Sequence, residues 1–123
     1  MSTIWIDCPT DGLTVSPPFC VRGGLLAGPD PVTLRCHLLC PGSDPLVFEQ
    51  TVAGSPKKKA PATAFCFKVA DAPECVVTVV VSLSVHGREE ASVAVYDVSV
   101  VPSGGSDCQC PADCPSPGAS GEA

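Results

Sequence analysis

The chain has 123 residues, a length that suits a single domain. Hydrophobic residues make up 45% of the sequence and charged residues 16%, a balance that supports a packed core and excludes wholesale disorder. The net charge of −6 at pH 7 argues against a nucleic-acid binder and against a basic membrane-surface binder. The longest apolar stretch, Val76–Val85, is too short to cross a bilayer as a helix, so we expect no membrane insertion.

Seven segments alternate between apolar and polar positions, a pattern typical of β-strands. In chain order, the predicted strands are Thr3–Cys8, Pro18–Gly24, Val32–Cys40, Leu46–Val52, Ala62–Val69, Cys75–His86 and Ala91–Val101. Turns recur about every 8–12 residues, the spacing of an antiparallel sandwich. Asp97 interrupts the inward row of the last strand, which predicts a β-bulge near Tyr96 and Asp97.

The composition changes after the last predicted strand. Residues 102–123 are rich in serine, glycine, proline and cysteine and show no hydrophobic pattern. We therefore expect one domain at residues 1–101 and a flexible tail at residues 102–123.

A short motif lies at the start of the chain. The turn Pro9-Thr10-Asp11-Gly12 follows the first predicted strand, and Phe19-Cys20-Val21-Arg22-Gly23 opens the second. This arrangement resembles the start of bacterial immunoglobulin-like domains. The resemblance implies a seven-stranded antiparallel Greek-key sandwich of the Ig-like or fibronectin III-like kind, which serves as a spacer, adhesion or binding module. The chain departs from antibody domains, because its third strand has no tryptophan and its sixth has no Tyr-x-Cys.

Within that resemblance, two cysteine pairs are candidates for disulfides. The third and sixth strands are antiparallel neighbours, which would bring Cys40 and Cys75 near one pole. The second and fifth strands are also neighbours, which makes Cys20 and Cys66 a possible cross-strand pair. The alternative for all four residues is a set of free thiols that pack as small hydrophobic groups. Cys36 lies on an inward row, and we expect it to fill the core.

The count of nine cysteines bears on the cellular compartment. This density favours an extracellular or cell-surface protein, because disulfides persist in oxidising compartments. No signal peptide is recognisable at the N-terminus, so synthesis in the cytoplasm is the alternative. The odd count means that at least one thiol has no partner within the chain.

The densest cysteine cluster lies in the tail, at Cys108, Cys110 and Cys114. Three thiolates at this spacing suit zinc or copper(I). Candidates for a fourth ligand are Cys8, His37 and His86, and the two histidines are expected on adjacent strands as a possible pair. Disulfide anchoring of the tail to the domain, for example through Cys8, and thiols that link separate chains are the alternatives.

Two further features suggest contacts with other proteins. Trp5 faces away from Ile4 and Ile6 on an edge strand, so we expect either a subunit interface or a cover formed by the tail. Three consecutive lysines, Lys57, Lys58 and Lys59, lie between two prolines. They predict either a docking loop for an acidic partner or a solvated hairpin tip that discourages edge-to-edge pairing.

The sequence has no Gly-x-Ser-x-Gly, no glycine-rich phosphate loop, no His-Glu-x-x-His and no Cys-x-x-Cys. We therefore predict no enzymatic activity and no cofactor. The expected function is a non-catalytic structural or interaction module, such as a surface, adhesion or assembly subunit. It would bind a protein partner or assemble with copies of itself as a homo-oligomer. The alternative is a metal- or thiol-handling protein that uses the tail cysteines.

Overall fold

A computed structural model describes residues 3–26, 30–52 and 63–105 of the chain. Within these ranges, the regular structure consists of eight β-strands. They are β1 (Thr3–Cys8), β2 (Thr14–Val15), β3 (Phe19–Leu26), β4 (Val32–Leu39), β5 (Leu46–Val52), β6 (Thr63–Val69), β7 (Val76–Val85) and β8 (Arg88–Val100). These ranges contain no helix capable of spanning a membrane. The predicted all-β class is confirmed.

The strands form two sheets, in the orders β1-β3-β6 and β2-β8-β7-β4-β5. The sequence predicts seven strands, and the additional one is β2, which pairs in parallel with the end of β8. Thr14 lies opposite Ser99, and Val15 lies opposite Val100. A strand of two residues has no period that a sequence pattern can reveal, so β2 could not be predicted.

The inner faces of both sheets share one hydrophobic core. The period of two along β7 places Val77, Val79, Val81 and Leu83 inside, each at most 1% exposed. Phe65 and Phe67 of β6 pack into the same core from the smaller sheet, with their ring centres 5.9 Å apart. Each fully buried side chain of this size contributes roughly 1.5–3 kcal/mol through removal of apolar surface from water. The core therefore fixes which face of every strand points outward.

The predicted bulge is present in β8. Val95 lies opposite Val79, but Val98 lies opposite Val77, so β8 contains one more residue than β7 over this interval. Asp97 has a φ of 59°, a left-handed conformation that aspartate tolerates better than most residues. The extra residue keeps Val95 and Val98 both inside, while Tyr96 and Asp97 are exposed.

The turn between β7 and β8 is a two-residue hairpin. His86 and Gly87 have φ values of 54° and 80°, and Val85 pairs directly with Arg88. Two successive residues with positive φ are typical of a type I′ turn, whose twist matches that of the flanking strands. β7 therefore ends at Val85, so the prediction that His86 belongs to the strand is wrong, and β8 begins three residues before the predicted Ala91.

Candidate interaction surface

One face of the five-stranded sheet points away from the core. On β4, Arg35, His37 and Leu39 alternate with the buried residues Leu34, Cys36 and Leu38. The register aligns His37 with Val47 of β5 on one side and with Val80 of β7 on the other. Residues far apart in sequence therefore form transverse rows across this outer face.

Four large apolar side chains are exposed on this face. Leu39, Val47, Val76 and Tyr96 have relative exposures between 39% and 56%, and we call them the apolar patch. The half-buried Thr78 of β7 is the register partner of Leu39, and the bulge places Tyr96 beside that part of β7. Several exposed apolar side chains on one sheet face are typical of protein interaction sites.

An open groove of about 410 Å³ adjoins the patch. Its lining includes Leu39, Val76, Thr78 and Asp97, together with the Pro41–Pro45 turn that follows β4. Leu39 and Val76 thus contact the same depression from two neighbouring strands. The Asp97 carboxylate places a negative charge at the rim, which favours a positively charged group on whatever binds there.

A disulfide stabilises the pole of the fold beside this groove. Cys40 follows β4 and Cys75 precedes β7, and the two are bonded with their Cα atoms 6.2 Å apart. This is the pair that the resemblance implies for the third and sixth strands. The bond closes 35 residues of chain, for which loop-closure entropy predicts a stabilisation of about 3–4 kcal/mol. The patch is therefore built on a cross-linked part of the sheet.

The other half of the same outer face is polar. The Nε of Arg35 donates to Oε2 of Glu49 at 2.7 Å, and both side chains are more than half exposed. An exposed pair of this kind contributes roughly 0–1 kcal/mol to stability. Thr33, Thr51 and Ser84 continue this polar surface. The face therefore has an apolar half and a polar half with both signs of charge.

Trp5 lies where the sequence predicts, on the outward side of an edge strand. β1 is the first strand of the three-stranded sheet, and Trp5 is the register partner of Gly24 on β3. The indole lies so close to Gly24 that a Cβ there would collide with the ring. This intramolecular contact leaves Trp5 only half-buried, and its role in an interface stays a prediction.

The predicted histidine pair does not form. His37 lies in the middle of β4 opposite Val80, whereas His86 lies in the hairpin turn with its Nε2 3.2 Å from Oδ2 of Asp30. Val80, the register partner of His37, precedes His86 by six residues, which corresponds to about 20 Å of extended chain. Within residues 3–26, 30–52 and 63–105, no three histidine, cysteine, aspartate or glutamate side chains are grouped so that they could hold a metal ion. Cys108, Cys110 and Cys114, and likewise Lys57, Lys58 and Lys59, lie outside the described residues.

Cys36 is a buried thiol of the core. It is fully buried and makes no disulfide, as the inward position in the sequence predicts. Loss of solvation raises the pKa of Cys36 to about 12. The side chain therefore stays protonated at neutral pH and acts as a small hydrophobic group rather than a nucleophile.

Cys20 and Cys66 lie on neighbouring strands, as predicted, but not opposite each other. The register pairs Cys20 with Lys68 and Cys66 with Arg22. The two cysteines are therefore diagonal, and this register does not support a bond between them. Both are nevertheless disulfide-bonded, and so is Cys8.

No known family model matches the chain, and comparison with curated proteins finds no significant relative. A function for this protein therefore rests on its own geometry.

Proposed function

We propose that this protein is a non-catalytic binding module with an Ig-like Greek-key sandwich, and that it docks a protein partner on the apolar patch. The strand orders β1-β3-β6 and β8-β7-β4-β5 support this fold, because they agree with an Ig-type arrangement in which consecutive strands cross between sheets. In that arrangement, β2 is a short addition at the free edge of β8. The absence of catalytic motifs from the sequence supports a binding role.

The observation that carries the proposal is the clustering of exposed apolar side chains. Of five large exposed apolar residues in the described ranges, four belong to the apolar patch, and the fifth is Leu26 on the other sheet. Scattered apolar residues are normal on a protein surface. A cluster of them beside a groove has an unfavourable hydration free energy unless a partner covers it.

The net charge of the chain indicates whether the apolar patch binds a different protein or a second copy of this chain. Two copies would each carry a net charge of −6, so their association would bring like charges together. Contact of the two patches with each other would also bring the Asp97 carboxylates of both copies into one interface. We therefore assign the patch to a partner that presents apolar side chains flanked by lysine or arginine.

The disulfides support an oxidising compartment for this module. Cys40 and Cys75 are bonded, and three other cysteines of the described ranges are also in disulfides. Such bonds persist outside the cytosol, so we propose an extracellular or cell-surface location.

Selection from a random peptide library on the immobilised full chain tests the proposed site. We expect enrichment of peptides with apolar residues flanked by basic ones, and a loss of about tenfold in affinity for V76K. The matched control is T51K, which places the same charge on the polar half of the face and should leave the affinity unchanged. Equal binding to V76K and T51K would refute the site. Concentration-dependent dimers of the wild type that V47K abolishes would instead identify a second copy as the occupant.

A further inference from the structure

β5 is the last strand of the five-stranded sheet. Among residues 3–26, 30–52 and 63–105, its only pairing neighbour is β4, and the pairing runs from Leu46 opposite Leu38 to Val52 opposite Val32. Successive residues of a strand direct their amide and carbonyl groups to opposite sides. Of the seven residues of β5, three or four therefore direct both groups away from β4. Such a row of donors and acceptors is a template on which another extended chain adds as a strand.

The inner row of β5 is only partly covered by the rest of the fold. Leu46, Phe48 and Val52 point toward the core, because their register partners on β4 are buried, yet all three are only half-buried. The inner residues of β4 itself are at most 2% exposed. The hydrophobic core is therefore open to solvent along β5. An added strand with apolar side chains on its inner face would cover the exposed part of these three residues.

Other edges of the two sheets differ from β5. On the opposite side of the sandwich, β1 contacts β8, and β2 pairs with the end of β8. On the edge strand β6, the inner residues Phe67 and Val69 are fully buried, and Lys68 is exposed on the outer face. Lysine and proline commonly protect sheet edges from pairing, and β5 contains neither. β5 is therefore the edge best suited to accept a further strand.

Glu49 determines the charge that an added strand should carry. It is the central residue of β5, and its Oε2 accepts the hydrogen bond from Nε of Arg35 at 2.7 Å. This bond uses one carboxylate oxygen, so Oε1 can accept from a further donor. A side chain directly opposite Glu49 on an added strand would lie about 5 Å away between Cβ atoms, where an opposite charge is stabilising. Lysine or arginine therefore suits that position.

The same residue argues against a second copy of this chain as the added strand. Two β5 strands that paired over their full length about a two-fold axis would place the two Glu49 carboxylates directly opposite each other. Like charges in directly opposite positions destabilise a strand pair. The occupant is therefore a segment of a different protein.

We propose that the edge of β5 that faces away from β4 binds an extended segment of another protein by β-strand addition. The segment has apolar side chains beside Leu46, Phe48 and Val52, and a lysine or arginine opposite Glu49. Main-chain hydrogen bonds supply the affinity, and the alternating side chains supply the specificity. This surface is distinct from the groove of the apolar patch, because β7 lies two strands away from β5, about 10 Å.

The heptapeptide Val-Thr-Val-Lys-Val-Thr-Val, acetylated and amidated at its ends, is a probe with this pattern. Its central lysine lies opposite Glu49 in either strand direction when the peptide covers all of β5. We expect it to bind the full chain, and the version with glutamate in place of lysine to bind about tenfold more weakly. Absence of binding by the lysine peptide, or equal binding of the two peptides, would overturn the proposal.

Backbone N-methylation of the peptide distinguishes strand addition from binding through side chains alone. One version is methylated at the four valines, and the other at the two threonines and the lysine. Every second amide of an added strand points toward β5, so one version should lose at least about tenfold in affinity, and the other should change by less than about twofold. Equal affinities of the two methylated versions would overturn the proposal.

Amide hydrogen exchange reports on the protein side of the same contact. In the free chain, we expect three or four of the seven β5 amides to exchange rapidly, because they point away from β4. The lysine peptide should slow the exchange of these amides by at least about tenfold. Protection of all seven amides in the free chain would overturn the proposal, because the edge would then already be paired, by this chain or by a second copy.

Two lysine substitutions on β5 form a matched pair of variants. Gln50 is in the inner row opposite Leu34, and an inward-pointing charge on an edge strand hinders pairing. We expect Q50K to weaken binding of the lysine peptide by about tenfold. T51K places the same charge one residue further along on the outer face and should change the affinity by less than about twofold. Equal affinities of Q50K and T51K would contradict the proposal. If Q50K fails to fold, the methylated peptides on wild type still decide.

The variant V76K separates this proposal from the apolar patch. Val76 lies on β7, so V76K should bind the lysine peptide as wild type does. A loss with V76K as large as that with Q50K would overturn strand addition at β5, because it would place the peptide on the patch. Failure of the patch to bind selected peptides would leave the result for the lysine peptide unchanged.

Discussion

The carboxylate of Asp11 accepts a hydrogen bond from the backbone amide of Tyr96 at 2.8 Å. The amide of Gly12 donates to the carbonyl of Tyr96 at 3.1 Å. The turn that follows β1 therefore binds both the backbone amide and the backbone carbonyl of Tyr96. Gly12 itself has a φ of 78°, a conformation that glycine adopts without steric cost. The turn singled out in the sequence therefore anchors the bulge that places Tyr96 on the apolar patch.

Removal of this anchor should destabilise the fold modestly. We expect D11A to lower the free energy of unfolding by about 1–2 kcal/mol, because the amide of Tyr96 loses its acceptor. D11N keeps a side-chain oxygen and should recover most of the loss. Urea unfolding of the two variants beside D71A, a loop aspartate, provides the comparison. Equal stability of D11A and D71A would contradict this role.

The Cys40–Cys75 bond should contribute more to the free energy of unfolding than any single hydrogen bond. We expect the double variant C40A/C75A to lose about 3–4 kcal/mol of unfolding free energy, because the unfolded chain regains the entropy of a 35-residue loop. Calorimetry of this variant beside wild type measures the effect. An unchanged melting temperature would show that the bond adds nothing to stability.

The buried thiol of Cys36 should make the stability of the fold decrease at alkaline pH. Burial raises the pKa of Cys36 to about 12 from its ordinary value of 9.0. Below pH 9 the thiol is protonated in both states, so its contribution is constant. Between pH 9 and 12 only the unfolded state loses the proton, and stability should fall by about 1.4 kcal/mol per pH unit from this group. Urea unfolding across this interval should show a steeper loss for wild type than for C36A, and parallel curves would contradict the assignment.

The patch residues should contribute little to folding, in contrast with the core. We expect V47K to change the unfolding free energy by less than about 0.5 kcal/mol, since Val47 is 55% exposed. F67A, at a fully buried position, should cost about 3–5 kcal/mol. Urea titration distinguishes the two cases. A loss from V47K as large as that from F67A would mean that the patch is structural rather than available for binding.

The sequence predicts local geometry well because the side-chain period of a strand is local. The inward row of β7 and the bulge at Tyr96 and Asp97 each follow from short patterns. The Cys40–Cys75 pair followed only from the implied neighbourhood of two strands.

Features that depend on long-range register could not be predicted. The sequence predicts Cys20 and Cys66 on neighbouring strands, but a shift of two residues in register decides whether they face each other. The apolar patch was missed for the same reason. Leu39, Val47 and Val76 are far apart in sequence, and only the pairing of β5, β4 and β7 collects them on one surface.

The most direct test of the proposed binding site is a chemical-shift titration of the isotope-labelled full chain with the tightest selected peptide. The account predicts that the largest amide shifts occur at Leu39, Val47, Val76 and Tyr96, with little change around Trp5 and Arg22. Shifts concentrated on β1, β3 and β6 would contradict it, because they would place the binding surface on the three-stranded sheet instead.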